Sequence, residues 1–328
     1  MADTGSAVEL IEAALERLIS GPQFGVAVSG GGDSMAMLAI ASDWSSRHGR
    51  SIYASTVDHG LRPEAASEAE MVSRFCRSRG IPHRTLTVPS LDGPGNLSAM
   101  AREARYAALA GWAAGIDPAM PVLTGHTMDD QAETVLMRLA RGSGAEGLAG
   151  IDETHAWKGV NWLRPMLAVR RTDLRDWLQS QAISWVDDPT NEETRYDRVK
   201  ARQALAALSP IGITVEGLAA TAMRLRRQRE VLEADCDRLR SVAAAEDGDD
   251  MVIDRNKLSE ALEDTGMRLV ADTLKQVGGN AYRPRFRSLE PLYRRLLSPE
   301  TFRTTLANCI VSADKTRVRI APERPKQA

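Results

Sequence analysis

A glycine-rich loop near the start of the sequence constrains this 328-residue chain more than any other segment. Residues 29–34 are Ser-Gly-Gly-Gly-Asp-Ser, and the alternation of Phe24, Val26 and Val28 before them predicts a short buried strand. The apolar run after them predicts a helix that begins near Met35. Consecutive glycines let the backbone approach a ligand closely, and a helix N-terminus favours an anion such as phosphate. The stretch therefore predicts a phosphate-binding loop between a strand and a helix.

Two common phosphate-binding loops do not fit this segment. A Walker loop needs a Lys directly before the Ser, but Asp33 precedes Ser34. The dinucleotide pattern GxGxxG also fails at these two positions. The remaining pattern, S-G-G-x-D-S, resembles the pyrophosphate loop of the N-type ATP pyrophosphatases, which cleave ATP between its α and β phosphates. The simpler alternative is an ordinary glycine turn in a βα unit.

Length and composition favour two globular domains. The chain has 328 residues, of which 43% are hydrophobic, and a domain usually has about 100–200 residues. No apolar run reaches the roughly 18 residues of a membrane span, and the first residues lack a signal-peptide pattern. Cys76, Cys236 and Cys309 form no CxxC pair, which argues against a disulfide framework and a zinc site. These features predict a cytoplasmic protein that does not enter a membrane.

Charge is distributed unevenly along the chain. Residues 199–328 have 23 Lys and Arg against 18 Asp and Glu, whereas residues 1–198 have 19 against 26. Within 282–328 there are 11 basic and 4 acidic residues. A local basic excess favours a polyanionic partner such as RNA, although a solvated helix face has the same composition.

Strand and helix patterns alternate after the loop. Residues 51–57 and 82–88 have the pattern of strands, with a helix over 64–80 between them. This spacing predicts an α/β fold with a doubly wound parallel sheet (Rossmann-like), which binds ligands at the carboxyl ends of its strands. Asp58 and His59 follow such a strand. They are candidates for nucleotide contact or, alternatively, a turn cap and a packed loop residue.

The second part of the chain has a different pattern. A break at 209–212 precedes one long helix over 215–243, and more helices are predicted near 257–276 and 285–297. Short strands are predicted at 251–254 and 316–320. We therefore expect a catalytic domain over residues 1–208 and a smaller, mainly helical accessory domain over residues 213–328.

Two arginines share a face of the helix predicted over 96–115. Arg102 and Arg105 are three residues apart, with Tyr106 beside them. Such a pair suits a phosphate clamp, and it equally suits a solvated helix face.

A group of acidic residues follows the strand predicted over 121–124. A helix that begins near Asp129 places Asp130 and Glu133 on one face, where the helix dipole keeps carboxylates ionised. A capping box at Asp129 or Asp130 accounts for one or two of these acids. It leaves His126 and the remaining acid without a role, so the block favours a functional site over a helix cap alone.

These blocks together resemble the tRNA(Ile)-lysidine synthetase family. The matching segments are collinear and all lie before residue 199: VAVSGGGDSMAML (26–38), TVDHGLRPEAASEAE (56–70), NLSAMAREARY (96–106), GHTMDDQAETVLMRLARGSGAEGLAG (125–150), RPML (164–167) and DDPTNEETRYDR (187–198). The family pattern has Asn where this chain has Val199, so the end of the last block departs from it. The accessory half matches only in kind, as a small helical domain.

The resemblance implies a two-step reaction. ATP first adenylates cytidine 34 of an isoleucine tRNA with a CAU anticodon, and pyrophosphate is released. The ε-amine of free L-lysine then attacks C2 of the cytidine and expels AMP. The implied small molecules are ATP and Mg²⁺, and the implied partners are tRNA(Ile) and lysine. The sequence does not give the oligomeric state, for which a homodimer is one option.

The resemblance also implies roles for particular residues. The expected catalytic residues are Asp130, Glu133, Asp33 and Arg105, and Asp33 is also the candidate Mg²⁺ ligand. The expected ATP-binding residues are Ser29, Gly30, Gly31, Gly32, Asp33, Ser34, Asp58, His59, Gly125 and His126. The expected contacts to lysine or tRNA are Arg102, Asp129, Arg141, Arg283 and Arg285.

Three alternatives remain open at this point. A cytidine or uridine thiolase that forms persulfides or binds an iron–sulfur cluster needs paired cysteines near the sheet, and Cys76 is alone. An ammonia-using synthetase has no need for a basic segment such as 282–328. A nucleotide-binding module without catalysis has no need for Asp33, Asp129, Asp130 and Glu133 together.

Overall fold

Strands and helices alternate through the N-terminal part of the chain, as the sequence predicts. The computed structural model describes residues 4–58, 64–88, 97–187, 197–280 and 282–323. The elements before residue 209 are α1 (Thr4–Leu18), β1 (Gln23–Ala27), α2 (Gly32–Arg47), β2 (Ser51–Asp58), α3 (Glu64–Ser78), β3 (His83–Thr87), α4 (Leu97–Ile116), β4 (Val122–Thr124), α5 (Met128–Ala140), α6 (Ala145–Leu148), β5 (Thr154–Trp157), β6 (Val160–Leu163), α7 (Arg171–Ser180) and α8 (Asp197–Leu208).

The strands of this part form one sheet in the order β3-β2-β1-β4-β6-β5. Neighbouring strands are parallel, except that β5 runs antiparallel to β6. The chain order reverses between β1 and β4, and Ala27 pairs with Thr124 at the carboxyl ends of these two strands. Ligands of doubly wound sheets bind at such a reversal point. The predicted doubly wound parallel sheet is confirmed.

Strand β1 is buried on both faces, which explains its apolar sequence. Phe24, Val26 and Val28 lie in a core with apolar side chains of α1, α2 and α7. On the other face, Ala27 packs against a second core that is built largely on α4, β4 and β6. A Cβ on Gly25 would lie 2.8 Å from the Trp112 ring, so only glycine fits there without displacing the tryptophan.

Two local predictions differ from the structure. Helix α2 begins at Gly32 and not near Met35, so the last residues of the glycine loop form its first turn. The antiparallel pair β5 and β6 is not among the predicted elements, because each strand has only four residues. The first difference matters for function, because the first turn of a helix has N–H groups without intrahelical partners.

The C-terminal part combines helices with an antiparallel sheet. A 3-10 turn over Ser209–Ile211 precedes the elements α9 (Val215–Ala243), β7 (Ala244–Asp247), β8 (Asp250–Asp254), α10 (Arg255–Glu260), α11 (Glu263–Val277), α12 (Phe286–Leu297), β9 (Phe302–Leu306), β10 (Cys309–Ala313) and β11 (Arg317–Pro322). The strands have the order β7-β8-β11-β10-β9, and one side of the sheet packs against α11 and α12. The mainly helical character is as predicted, but β7, β9 and β10 were missed.

The chain divides into two compact units, Met1–Leu225 and Arg226–Ala328. The division falls within α9, and the predicted domain limits at 208 and 213 stay predictions. In the described part of the chain, no single helix has the length and apolar character of a membrane span. The segments 197–211 and 215–243 pass that test only as a pair, bent by 101°.

Candidate active site

The predicted phosphate loop closes on itself through its two serines. Ser34 Oγ accepts a hydrogen bond from the Ser29 N–H at 3.1 Å and donates one to the Gly31 carbonyl at 2.9 Å. Gly30 has a φ of +87°, a left-handed conformation that favours glycine. The loop therefore turns directly into the first turn of α2, where the backbone N–H groups and the helix dipole attract an anion.

A second glycine brings the next loop against this one. A Cβ on Gly125 would lie 3.2 Å from both N and Cα of Ser34, so the backbone after β4 passes directly over the start of α2. Since β1 and β4 are adjacent strands, their two loops leave the same edge of the sheet. Because Gly125 has no Cβ, the loop after β4 can lie directly against the loop after β1.

Helix α5 begins with a capping box that involves one of the predicted site residues. The N-cap is Thr127, and both its N–H and its hydroxyl donate to Asp130 Oδ2 at 2.9 Å. The N-cap is therefore neither Asp129 nor Asp130, and Glu133 is not part of the cap. Asp130 supports the helix with one oxygen and keeps the other for different contacts.

Arg171, the first residue of α7, joins the acidic side chains of both loops. Its Nε lies 2.9 Å from Asp33 Oδ2, and its terminal nitrogens lie 3.4 Å from Asp130 Oδ2 and from Glu133 Oε1. Its backbone N–H donates to Asp129 Oδ2 at 2.8 Å. The structure thus gathers four predicted acidic residues around one arginine, and we call Asp33, Asp130, Glu133 and Arg171 the acidic cluster.

Further arginines border the acidic cluster. Arg198 Nη1 lies 3.5 Å from Asp130 Oδ1, and Arg202 Nε lies 3.1 Å from Glu133 Oε1. Two buried carboxylate oxygens, Asp33 Oδ1 and Glu133 Oε2, have no hydrogen-bond partner within the described part of the chain. Buried acceptors without a partner are costly, so these two oxygens mark the place for a cationic or hydrogen-donating ligand.

The carboxylates of the acidic cluster differ in their proton affinity. Burial raises the pKa of Asp33 even though Arg171 lies beside it. Burial and the charge of Asp130 raise the pKa of Glu133. Burial alone would raise the pKa of Asp130, but the neighbouring His126 holds it below its ordinary value, together with Arg171, Arg198 and the Thr127 N–H. Of Asp130 and Glu133, Glu133 is therefore the better proton acceptor.

A basic group lies near the acidic cluster. The guanidinium groups of Arg102 and Arg105 lie 4.8 and 5.4 Å from the centre of the Tyr106 ring, as their shared helix face predicts. Burial lowers the pKa of Arg164, which also contacts Tyr106. Burial, with the charges of Arg164, Arg198 and Arg102, lowers the pKa of His126 to about 3. This imidazole is neutral near pH 7, with its Nδ1 2.9 Å from Thr124 Oγ1.

Not every predicted site residue lies in this region. Asp58 ends β2, next to β1, whereas His59 lies outside the described residues. Arg141 pairs with Asp197 at 2.8 Å. In the C-terminal unit, Arg283 pairs with Asp272, and the Arg285 side chain is exposed. Within the described residues, no group of three or more His, Cys, Asp or Glu is arranged to hold a metal ion.

Sequence reasoning missed four arginines as site residues, namely Arg164, Arg171, Arg198 and Arg202. Arg171 stands at the start of an ordinary amphipathic helix, and it is 138 positions away from Asp33. No spacing rule connects such distant residues. The only signal was their place in or near the family-like segments 164–167 and 187–198.

Comparisons with known proteins show which family the chain belongs to. A family model described as a PP-loop domain matches residues 7–208. A tRNA(Ile)-lysidine synthase from Ruegeria pomeroyi is 39% identical over 305 residues, which cover 92% of this chain and 71% of that protein. One from Hyphomonas neptunium is 37% identical, with 94% and 83% covered.

A solved structure of the U34-tRNA thiolase NcsA from Methanococcus maripaludis, with its 4Fe-4S cluster, has a similar fold. The TM-score is 0.58 at 16% identity, covering 69% of this chain and 79% of that one, so the likeness concerns the fold alone. The sequence relatives are much closer and span nearly the whole chain. The chain therefore belongs to the tRNA(Ile)-lysidine synthase family and contains a PP-loop ATP-binding domain.

Proposed function

We propose that this protein ligates free L-lysine to C2 of cytidine 34 in an isoleucine tRNA with a CAU anticodon. ATP activates the cytidine as an adenylated intermediate, and the products are lysidine, AMP and pyrophosphate. One observation carries the proposal: a PP-loop and a buried acidic cluster lie side by side, with basic residues near them. The site thus combines a place for a nucleotide phosphate with a place for a cationic nucleophile.

The first step uses the loop of residues 29–34. The cytidine oxygen attacks the α-phosphate of ATP, and the bond to pyrophosphate breaks. N–H groups of the first turn of α2 meet the negative charge that develops on the leaving pyrophosphate. Arg102 and Arg105 are proposed to stabilise the transferred adenylyl group, because a guanidinium binds phosphate oxygens in a fork geometry. Neutral His126 is suited to a hydrogen bond with nucleotide or base.

The second step uses the acidic cluster. The ammonium of lysine has an ordinary pKa of about 10.4 and attacks only after it loses a proton. Asp130 and Glu133 are proposed to bind this ammonium. Glu133 then accepts a proton through its unpartnered Oε2, since burial has raised its pKa. The free amine attacks C2 of the cytidine, and the C2–O bond to AMP breaks.

Mg²⁺ is part of the proposal as a companion of ATP. Asp33 Oδ1 is buried without a partner, at the first turn of α2, and an oxygen of this kind suits Mg²⁺. Mg²⁺ usually binds one or two carboxylates together with substrate phosphates, and it would neutralise charge on those phosphates. Asp33 is therefore the residue proposed to hold it.

The tRNA is proposed to contact the C-terminal unit as well. Tyr282 and Phe286 are 85% and 60% exposed, and the side chains of Arg285 and Arg287 make no ion pair with any described residue. Exposed aromatic rings interleaved with unpaired arginines suit stacking on bases and contact with phosphates. A homodimer and a cytoplasmic location stay predictions.

A thiolase is the weaker candidate. Cys76, Cys236 and Cys309 are all free and buried, and burial raises the pKa of the Cys76 thiol to about 12. An accessible thiolate is the species that forms persulfides or binds a cluster. The described cysteines do not offer one.

The decisive experiment is incorporation of radiolabelled lysine into tRNA in the presence of ATP and Mg²⁺. We expect incorporation into isoleucine tRNA with the CAU anticodon, and none when uridine replaces cytidine 34. Conversion of ATP to AMP without lysine incorporation into either tRNA would reject lysidine synthesis and leave another PP-loop reaction. A preparation with Asp130→Asn serves as the inactive control.

A further inference from the structure

Arg171 sits among the three carboxylates of the acidic cluster. We propose that Arg171 is a specificity-determining residue that keeps this cluster from binding a divalent metal ion through protein oxygens alone and reserves it for a cationic group of single charge. The inference goes beyond the proposed function, because it concerns which cations the cluster binds. It does not depend on the identity of the second substrate.

The contacts of Arg171 use one oxygen of each carboxylate. The Arg171 Nε donates to Asp33 Oδ2 at 2.9 Å, and its terminal nitrogens lie 3.4 Å from Asp130 Oδ2 and from Glu133 Oε1. Asp130 Oδ1 faces Arg198. Of the carboxylate oxygens of the acidic cluster, Asp33 Oδ1 and Glu133 Oε2 are left buried without a hydrogen-bond partner in the described residues. The cluster therefore has few oxygens to give to a further ligand.

Arg171 is held more firmly than the other arginines that touch the cluster. Its side chain is 18% exposed and contacts three carboxylates, whereas those of Arg198 and Arg202 are 46% and 44% exposed. Its backbone N–H is also bonded to Asp129 Oδ2. Arg198 contacts Asp130 at 3.5 Å and Arg202 contacts Glu133 at 3.1 Å. Because both side chains are also more exposed, a ligand can replace them more easily than Arg171.

The chemistry of the two kinds of cation explains the selectivity. Mg²⁺ needs near-octahedral coordination by several oxygens at about 2.0–2.1 Å. A guanidinium between the carboxylates keeps their oxygens apart and repels a second, doubly charged ion. In agreement, no group of three acidic, His or Cys side chains in the described chain is placed to hold a metal. An ammonium has one charge and needs no octahedral shell, so Glu133 Oε2 and the Asp130 Oδ1 that a displaced Arg198 would leave can bind it. Asp33 Oδ1 then stays available for an ion that ATP phosphates also coordinate.

The test is a titration of nucleotide-free protein with Mn²⁺, in which electron paramagnetic resonance counts the free ion. We expect the wild type, Arg171→Lys and Arg202→Gln to bind Mn²⁺ weakly. Arg171→Gln is expected to bind one Mn²⁺ at least about tenfold more tightly, because the central charge is gone. Arg202→Gln is the matched control, since it removes a cation from Glu133 but leaves the centre occupied. Adding Asp33→Asn to Arg171→Gln is expected to abolish the gain and so locate the ion.

Two results would overturn the proposal. One is a folded Arg171→Gln protein, checked by its melting curve, that binds Mn²⁺ no more tightly than the wild type. The other is micromolar binding of one Mn²⁺ by the wild type without nucleotide, which needs no variant at all. If Arg171→Gln does not fold, Arg171→Met replaces it, because its unbranched side chain fills similar space without charge.

Discussion

Glu133 is the residue whose loss should affect the two proposed steps most differently. It is 1% exposed, burial raises its pKa, and its Oε2 has no partner in the described residues. Glu133→Gln keeps the shape of the side chain but removes the proton acceptor. We expect lysine incorporation to fall by about 10²–10⁴-fold, the usual contribution of a general base. Exchange of pyrophosphate into ATP, which needs only the first step, is expected to change much less.

Both rates are measured on the same preparations with saturating tRNA. Asp176→Asn on α7 removes an exposed carboxylate of the same unit and is expected to leave both rates unchanged. An equal loss of the two activities in Glu133→Gln would contradict a role specific to the amine. It would indicate instead that the acidic cluster supports the whole site.

His126 gives a prediction that depends on pH. Burial and its arginine neighbours lower its pKa to about 3, whereas an unfolded histidine titrates near pH 6.5. Between these values the unfolded state binds more protons, so this group makes the free energy of unfolding fall as pH falls, by at most about 1.4 kcal/mol per pH unit.

Urea denaturation at about pH 7.5 and pH 5.5 tests this expectation. The free energy of unfolding should drop more over this interval in the wild type than in His126→Gln, because the variant lacks the titrating group. The same drop in both proteins would mean that His126 titrates alike in the folded and unfolded states. A smaller drop in the wild type would mean that His126 is protonated in the folded state, and it would then be an acid or a cation in the site.

At the residue scale, the sequence predicted which residues belong to the site better than it predicted which of them contact each other. The acidic residues and the glycine loop stand out by local spacing, and the structure places Asp33, Asp130 and Glu133 around a single group. That group, Arg171, is a common residue in an ordinary helix, and its contacts depend on the packing of α7 against α2. Long-range ion pairs of this kind are set by the fold and leave no periodic trace in the sequence.

At the scale of elements, the close contact between the loop after β4 and the start of α2 leads to a testable prediction. Gly125→Ala would place a Cβ 3.2 Å from the Ser34 backbone, which cannot move aside without shifting the start of α2. We expect ATP to bind about tenfold more weakly, a change of about 1.4 kcal/mol. The measurement is isothermal titration with ATP, together with a melting curve.

Gly111→Ala is the control for this substitution. Gly111 lies inside α4, and a Cβ there would meet nothing within 4 Å. Alanine in the interior of a helix is more stable than glycine by about 0.5–1 kcal/mol, so this variant should melt no lower and bind ATP normally. Normal ATP binding by Gly125→Ala would mean that the distance between the two loops does not matter for the nucleotide.

The turn between β9 and β10 explains why the sequence did not predict these two strands. Strands β9 and β10 are five residues each and are joined by Ala307-Asn308, which have φ values of 53° and 59°. Hairpin turns with two positive φ values usually contain Asn-Gly or Asp-Gly, and this one has no glycine. The turn is formed because the two strands pair and pack on the core of the C-terminal unit. The long helix α9, by contrast, was predicted with its bounds because its apolar spacing continues over many turns.

At the scale of the whole molecule, charge separates the two halves of the sequence. The first 198 residues have an excess of acidic residues, and the remainder has an excess of basic ones. Within the C-terminal unit, however, several arginines are already paired, as Arg283 is with Asp272 and Arg319 is with Asp247 and Asp250. Composition therefore overstates the charge available to a polyanion, and Arg285 and Arg287, which pair with no acidic residue that the structure describes, are the ones to test.

Binding of tRNA at different salt concentrations tests this surface. Removing one arginine–phosphate contact reduces the magnitude of the slope of log K against log salt by about 0.7–0.9, so Arg285→Gln with Arg287→Gln should reduce it by up to about 1.8 and weaken binding at low salt. Arg283→Gln should change the slope less, because Asp272 already balances its charge. Tyr282→Ala with Phe286→Ala should weaken binding at every salt concentration without changing the slope, since base stacking releases no counterions. An unchanged slope in the double arginine variant would mean that tRNA does not use this surface, and the basic excess of the segment would then only keep it solvated.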